Sequence, residues 1–384
     1  MDSKYTMANY QPEFKNQVVE LQKHLWSPSA DLNTAYLEWK YERNPYLDTP
    51  LIYLALYDGE VVGMRGMFGS RWEIGSPSKT FLGLCAEDMV VAPNHRNRGL
   101  VTKIMRFALN DLGNRGYSHV FSLSAGAVTF LASLAMGWRK VGSMQRMCRN
   151  PDQVSFYQRL RRFIIAHSLF WRFFDKFPPP LRQWAVRQRP LYYLDRKRFR
   201  RRFKVSPCLS VQQAPRPEEM ADLVRQIGND GRIRHVRDRT YFSWRFQNPL
   251  SRYRFLFWDE AGLKGYLVLQ EYVSRYLSRT KVNIVDWEAT SVNICAELLR
   301  AAITLCDFTE MVAWSATMDG EKKILLRDTG FNPADDSKGM AQHQHCLLVR
   351  TVQDEMLDTD WAIDNVPLLD MANWDVRMIF STMG

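Results

Sequence analysis

The residues best suited to do chemistry lie between Glu87 and Thr102. Glu87 and Asp88 stand side by side just ahead of Met89, Val90 and Val91, which read as a short buried strand that Ala92-Pro93 stops. Asn94-His95-Arg96-Asn97-Arg98-Gly99 then forms a polar, basic turn. Leu100 and Thr102 open a stretch in which Val101, Ile104, Met105, Ala108, Leu109 and Leu112 recur at helical spacing. A strand, a basic glycine-containing turn and a helix start make a ready anion site. The first backbone N–H groups of a helix have no partner within it, and its dipole favours negative charge there. Gly99 lets the chain approach a ligand closely, and Arg96 and Arg98 can add charge-assisted hydrogen bonds suited to a diphosphate. The competing reading is a solvated basic turn before a helix. Strand alternation allows only one of Glu87 and Asp88 to face a given side. If that one is buried, its pKa rises toward neutrality, as a general base requires; otherwise both carboxylates face solvent or satisfy nearby arginines.

These residues need elements to hold them, and the chain supplies the same set twice. Tyr36-Leu37-Glu38-Trp39-Lys40-Tyr41-Glu42-Arg43-Asn44-Pro45 is echoed by Tyr241-Phe242-Ser243-Trp244-Arg245-Phe246-Gln247-Asn248-Pro249. Each predicts a helix ended at Asn-Pro. A hairpin follows each time, turning at Asp58-Gly59 within Leu51 to Phe68, and around Asp259 to Gly262 within Tyr253 to Gln270. Each copy later reaches a Gly-aromatic pair and a strand: Gly137-Trp138 before Val141 to Met147, and Gly330-Phe331 before Cys346 to Thr351. Shared order over about a hundred residues argues for duplication. The expected organisation is a domain over 1–150, a basic aromatic helical linker over 151–205 split by Pro178-Pro179-Pro180, a second domain over 206–351, and an acidic tail over 352–384. The tail holds Trp361 and Trp374 and is expected to pack back onto a domain.

With these elements in place, residues 5 to 148 resemble the GNAT acyl-CoA N-acyltransferase superfamily. Its signature is a strand, often Val-x-Pro, then Arg/Gln-x-x-Gly-x-Gly/Ala opening a long helix. Val91-Ala92-Pro93-Asn94-His95-Arg96-Asn97-Arg98-Gly99-Leu100-Val101 fits, with Val101 where a small residue is usual. The resemblance implies an α/β (α+β) fold: two tandem GNAT-like domains, each a mixed, mostly antiparallel twisted sheet flanked by helices, the second copy degenerate. It implies acetyl-CoA or another acyl-CoA as donor, held by Met89, Val90, Val91, Arg96, Asn97, Arg98, Gly99, Leu100, Val101 and Thr102. Ser118 to Leu123 fits the strand whose splaying admits pantetheine, and Ala127 to Met136 the helix after it. Glu87 and Asp88 fall where many members carry the base. Ser133 falls where a thiolate-protonating Tyr is common; serine has no useful acidity near neutral pH and can only relay a proton or hydrogen-bond the sulfur. His95 and His119 are alternative proton carriers, read as structural or surface residues. In the second copy Val282 to Trp287 runs into Glu288-Ala289-Thr290-Ser291-Val292-Asn293, with no Arg and no Gly, so no CoA site is expected there. Asp286 and Glu288 are read as strand-end carboxylates rather than contacts for an acceptor amine.

Composition narrows the remaining choices. The 384 residues suit two domains, and 46% hydrophobic with 24% charged describes a globular chain. No apolar run reaches membrane-helix length, and Met1 to Tyr10 does not look like a secretory signal. The six cysteines form no CxxC and have no histidine at zinc spacing, which predicts a reduced, cytoplasmic, metal-free protein. The net charge is +11, yet Arg149 to Lys204 alone holds 16 Lys+Arg against three acids. Aromatics interleave with arginines there, as in Phe170-Trp171-Arg172-Phe173-Phe174. A connector whose arginines snorkel, a surface meeting anionic lipid at the inner face of the membrane, and, least favoured, a nucleic-acid arm compete for that segment. The expected function is N-acyl transfer, acetyl for preference, to an amine-bearing small molecule or glycan precursor such as an amino sugar. An aminoacyl-tRNA-dependent transferase is weakened by the retained Arg-x-x-Gly loop. A non-catalytic acyl-CoA-binding regulatory subunit is the third reading.

Overall fold

The computed structural model describes residues 4–123, 127–150, 206–272, 281–306, 308, 310–334, 345–353 and 361–381. The predicted helical linker and its membrane or nucleic-acid roles lie outside the described residues.

In the first half, β1 (Tyr5–Asn9) leads through α1 (Lys15–Gln22) and α2 (Ala30–Leu37) into a π-helical turn over Glu38–Glu42. The hairpin β2 (Leu51–Tyr57) and β3 (Glu60–Ile74) follows, then β4 (Lys79–Val91), α3 (Leu100–Asn114), β5 (His119–Ser122), α4 (Ala127–Ala135), β6 (Arg139–Ser143) and β7 (Arg146–Arg149). The second half gives β8 (Leu209–Gln212), α5 (Pro217–Ile227), β9 (Arg234–His235), α6 (Arg239–Arg245), β10 (Ser251–Asp259), β11 (Leu263–Tyr272) and β12 (Lys281–Ala289). It continues with α7 (Val292–Leu305), β13 (Glu310–Trp314), α8 (Gly320–Asp328), β14 (Asn332–Pro333) and β15 (Cys346–Thr351).

Two sheets result, and they exchange strands. The first runs β1-β2-β3-β4-β5-β15-β6, with β9 added beside β3; the second runs β14-β7-β13-β12-β11-β10-β8. Among the described strands only β4·β5 and β12·β13 pair in parallel, so both sheets are mixed and mostly antiparallel. β15, from the second half, lies between β5 and β6 of the first sheet, and β7, from the first half, lies beside β13 of the second. Cuts at 150 and 351 therefore divide the sequence but not the sheets.

Each sheet has its own outer core and shares an inner one. Ile104, Ala108 and Leu112 of α3 pack with Leu51, Tyr53 and Met67 on the outer face of the first sheet. Leu298, Leu299 and Ala302 of α7 do the same with Leu267 and Leu269 on the second. The glycines of the two hairpins explain this close helix packing. A methyl group added at Gly63 would meet Ile104 Cδ1 at 3.0 Å, and one at Gly265 would meet Ile294 Cγ2 at 2.6 Å. The inner faces meet through the repeated aromatic motif itself. Trp39 and Trp244 stack with centroids 5.2 Å apart, and each indole donates to the other's backbone oxygen, at 2.7 and 2.9 Å. This reciprocal contact is what a pseudo-twofold between two copies produces. The tail completes the inner core, burying Trp361 and Trp374 as its two tryptophans suggest.

Candidate functional site

The loop after β4 is built as the sequence implies. Pro93 to His95 form a short 3-10 turn, and Arg96 Nε donates to Val91 O at 3.1 Å, which ties the loop back to the strand. Asn97 and Gly99 adopt φ of 60° and 70°, a left-handed conformation that glycine takes at no steric cost. Gly99 is the N-cap of α3, and no side chain caps that helix, so its first-turn N–H groups face outward. Arg96, Asn97, Arg98 and Gly99 are exposed, and Val101 and Thr102 are half-buried. Leu100 instead turns inward, 2% exposed among α3's core residues, so its contribution is confined to its backbone. The space around Gly99 is open, with no atom within 4 Å of where a Cβ would stand. An anionic group can approach these amides directly.

The strand before the loop also opens. β4 pairs with β5 only at Leu84↔Val120 and Cys85↔Phe121, although β4 continues to Val91. From Ala86 onward its edge toward β5 is unpaired among the described residues, a cleft of the kind that can take an extended ligand between parallel strands. Met89 on this stretch is half-buried, while Val90 and Val91 are buried.

Glu87 and Asp88 correct the sequence expectation in two ways. They lie inside β4 rather than ahead of the strand, and both reach the same partner. Residue 64 pairs with 90 and residue 66 with 87, so β4 carries an extra residue opposite Arg65. Asp88 sits at this bulge with φ 56°. The bulge breaks strict alternation and turns the Asp88 side chain to the inner face beside Glu87. Lys40 Nζ donates to Glu87 Oε2 at 2.7 Å and to Asp88 Oδ1 at 3.0 Å, and Tyr41 Oη donates to Asp88 Oδ2 at 2.7 Å. All four residues are buried, Lys40 completely. Neither carboxylate faces solvent, and both meet a lysine from the repeated motif. Burial pushes the Asp88 carboxyl above its ordinary value against the pull of Lys40. Burial would lower the Lys40 ammonium, but Asp88 and Glu87 outweigh it and hold it above its usual range. Lys40 therefore stays charged across the physiological range.

A sequence-family model described as an acetyltransferase (GNAT) domain matches residues 7–138. Residues 7–138 are a GNAT acetyltransferase domain. The fold of the whole chain is similar to that of a GCN5-related N-acetyltransferase from Anabaena variabilis ATCC 29413. That likeness has 12% identity and a TM-score of 0.55, covering 91% of this chain and 73% of the other. A probable N-acyltransferase from Enterococcus faecalis V583 is similar to the same degree, at 12% identity and TM-score 0.55, covering 91% and 72%. No curated protein matches the chain in sequence. The match thus places an acetyltransferase-type domain in the first half, within a fold shared over both halves.

Within the GNAT domain, Ser133 is buried in α4, and its backbone oxygen accepts Met136 N at 2.9 Å and Trp138 N at 3.1 Å, closing the helix at Gly137. His95 shares a hydrogen bond with Tyr5 Oη at 2.9 Å, and His119 Nδ1 one with Ser118 Oγ at 2.9 Å. Among the described residues no cluster of His, Cys, Asp and Glu could hold a metal ion. No described helix is long and apolar enough to cross a membrane.

The corresponding opening in the second half is filled by the protein itself. β12 pairs with β13 only as far as Ile284↔Ala313 and then continues to Ala289. Beside it runs the tail segment Asp375 to Met378, leaving a cavity of about 60 Å³. Arg377 Nη1 lies 2.6 Å from Glu288 and 3.2 Å from Asp286, and Arg237 reaches the same two carboxylates at 2.7 and 2.9 Å. Lys322 adds a third cation, 3.0 Å from Glu288. Burial would raise the Glu288 carboxyl, but Arg377, Arg237 and Lys322 together hold it well below the usual range. Asp286 and Glu288 are thus buried ion-pair partners and not strand-end carboxylates in solvent. Lys40, Tyr41 and Arg377 were absent from the sequence reading of the site. The one available signal was a basic residue at the same place in both aromatic motifs, since Lys40 and Arg245 are almost completely buried.

Proposed function

We propose that the first half transfers an acyl group, acetyl for preference, from coenzyme A to an amine. The observation that carries this is the uncapped, exposed start of α3 behind a left-handed Gly99, set beside the open edge of β4. The residues fit a coenzyme A diphosphate: amides of Leu100, Val101 and Thr102, the side chains of Arg98 and Asn97, and the part of Arg96 not engaged with Val91. Bound there, the thioester supplies an activated acyl carbon. The outward N–H groups hold negative charge, the open edge of Met89 to Val91 offers backbone groups along the cleft, and Lys40 and Tyr41 fix the bulge that shapes it.

Asp88, whose carboxyl is raised by burial, is the group assigned to take the acceptor's proton, with Glu87 holding Lys40 as it does so. Ser133 is assigned no acidity and serves at most as a hydrogen-bond donor to sulfur. The acceptor class, an amino sugar or another glycan precursor, rests on the sequence resemblance. Contact of 151–205 with anionic lipid is likewise a proposal on sequence grounds. One observation favours a second reading: both oxygens of Asp88 already have partners, as a non-catalytic acyl-CoA-binding subunit would allow. A thiol-release assay with acetyl-CoA against a panel of amino sugars and amines decides. Release that depends on the amine supports transfer; coenzyme A binding without release supports the subunit.

A further inference from the structure

Among the described residues Arg65 is a buried cation without a hydrogen bond. It is 4% exposed, its Nε is fully enclosed without an acceptor, and among the described residues it forms neither a hydrogen bond nor an ion pair. A guanidinium carries five N–H donors in a rigid fork; enclosing the Nε–H of Arg65 unmatched is unfavourable, and its terminal N–H groups are not among the enclosed atoms. The nearest acids cannot serve it fully. Glu87 and Asp88 attract it through space, but Asp88 gives its two oxygens to Lys40 and Tyr41, and Glu87 binds Lys40.

Its place in the fold ties it to the cleft. Arg65 is the β3 residue opposite the β4 bulge, and it shares a sheet face with its cross-strand partner Tyr53 and with Met67, beneath α3. The Tyr53 hydroxyl donates to Asp111 at 2.8 Å and offers Arg65 nothing. The other edge of the same bulged stretch is the one that β5 leaves unpaired.

The duplicated half shows that the fold does not need an arginine here. Two residues after Gly63 stands Arg65; two residues after the matching Gly265 stands Leu267, completely buried against the α7 core. The half with an open cleft and a basic loop has the arginine, and the half whose cleft is filled by the tail has leucine. An unmatched planar fork at this point suits a carboxylate, which accepts two parallel N–H bonds. Burial lowers the Arg65 pKa to about 10, so it remains charged at neutral pH.

We propose that Arg65 binds a carboxylate carried by one of the two substrates, making the transferase selective for an anionic acyl group or an anionic amine. This rests on the proposed acyl transfer, and the experiment separates the two. Wild type, Arg65→Leu and Arg65→Lys are compared, with thermal melts to show that each folds. Acetyl-CoA and succinyl-CoA are titrated calorimetrically, and thiol release is measured with matched amines bearing or lacking a carboxylate. The expected result is a preference of tenfold or more for one carboxylate-bearing substrate. Arg65→Leu loses it through KM or Kd, Arg65→Lys partly restores it, and binding of acetyl-CoA is unchanged. Preference for succinyl-CoA puts the carboxylate on the donor; preference among amines puts it on the acceptor. Free succinate, which should raise the Tm of wild type but not of Arg65→Leu, reads the site without coenzyme A. Acetyl-CoA binding with no carboxylate preference overturns this inference alone. If no coenzyme A thioester binds, the acyl-transfer reading fails, and succinate then decides on Arg65: no Tm shift overturns it.

Discussion

Replacing Lys40 by methionine removes the cation that bridges Glu87 and Asp88 while keeping the volume of a side chain that is 0% exposed. Both carboxylates stay buried, at 4% and 5% exposure. Breaking a buried ion pair by deleting one partner costs about 3–5 kcal/mol. Tyr41 still donates to Asp88, which keeps the expected loss within that range despite two stranded acids. Sign and pH window follow from linkage. Without Lys40 the folded-state carboxyl pKa values rise above those of the unfolded chain, so stability is retained at low pH and lost as pH rises through the raised values. The Lys40→Met penalty should therefore be full at pH 8 and shrink toward pH 5. Equilibrium urea unfolding at both pH values reads it, and Lys40→Met with Glu87→Gln and Asp88→Asn should recover most of the loss at pH 8. A penalty below about 1 kcal/mol, or one equal at both pH values, would refute the buried cluster as described.

Two further perturbations test the junction between the halves. His235 is buried against Phe380, at 4.3 Å between ring centroids, and burial together with Arg245 and Arg237 holds its pKa well below 6.5. The unfolded chain takes up a proton that the folded one refuses, so stability should fall as pH drops below about 6.5; His235→Gln should flatten that slope in melts from pH 8 to pH 5, and an unchanged slope contradicts it. Arg377→Met strips one of three cations from Asp286 and Glu288 and should cost about 3 kcal/mol in urea unfolding at neutral pH. A loss under 1 kcal/mol would mean that the tail contributes little to the second half.

Much of this was legible in the sequence because it is encoded locally. Gly99 with its flanking arginines, the helical spacing from Val101 to Leu112, and the paired Asn-Pro endings each declare their geometry over a few residues. The two Trp motifs announced duplication, though not that Trp39 and Trp244 would meet face to face. Strand exchange was not legible, since nothing within Arg146–Arg149 or Cys346–Thr351 specifies which sheet each joins. The bulge at Asp88 was hidden as well: a left-handed aspartate has no sequence mark, and it reversed the prediction that only one carboxylate could face inward. Lys40, 47 and 48 positions from its partners, and Arg377, about 90 from its own, are matters of tertiary packing.

The start of α3 remains the feature on which the functional account stands. Isothermal titration of wild type and Arg98→Glu with coenzyme A and acetyl-CoA tests it directly. Arg98 is exposed, so its replacement should leave the Tm unchanged while weakening binding at least tenfold. Wild type should bind one molecule per chain, because the tail fills the second cleft. No heat with any coenzyme A thioester, or two equivalent sites per chain, would contradict it.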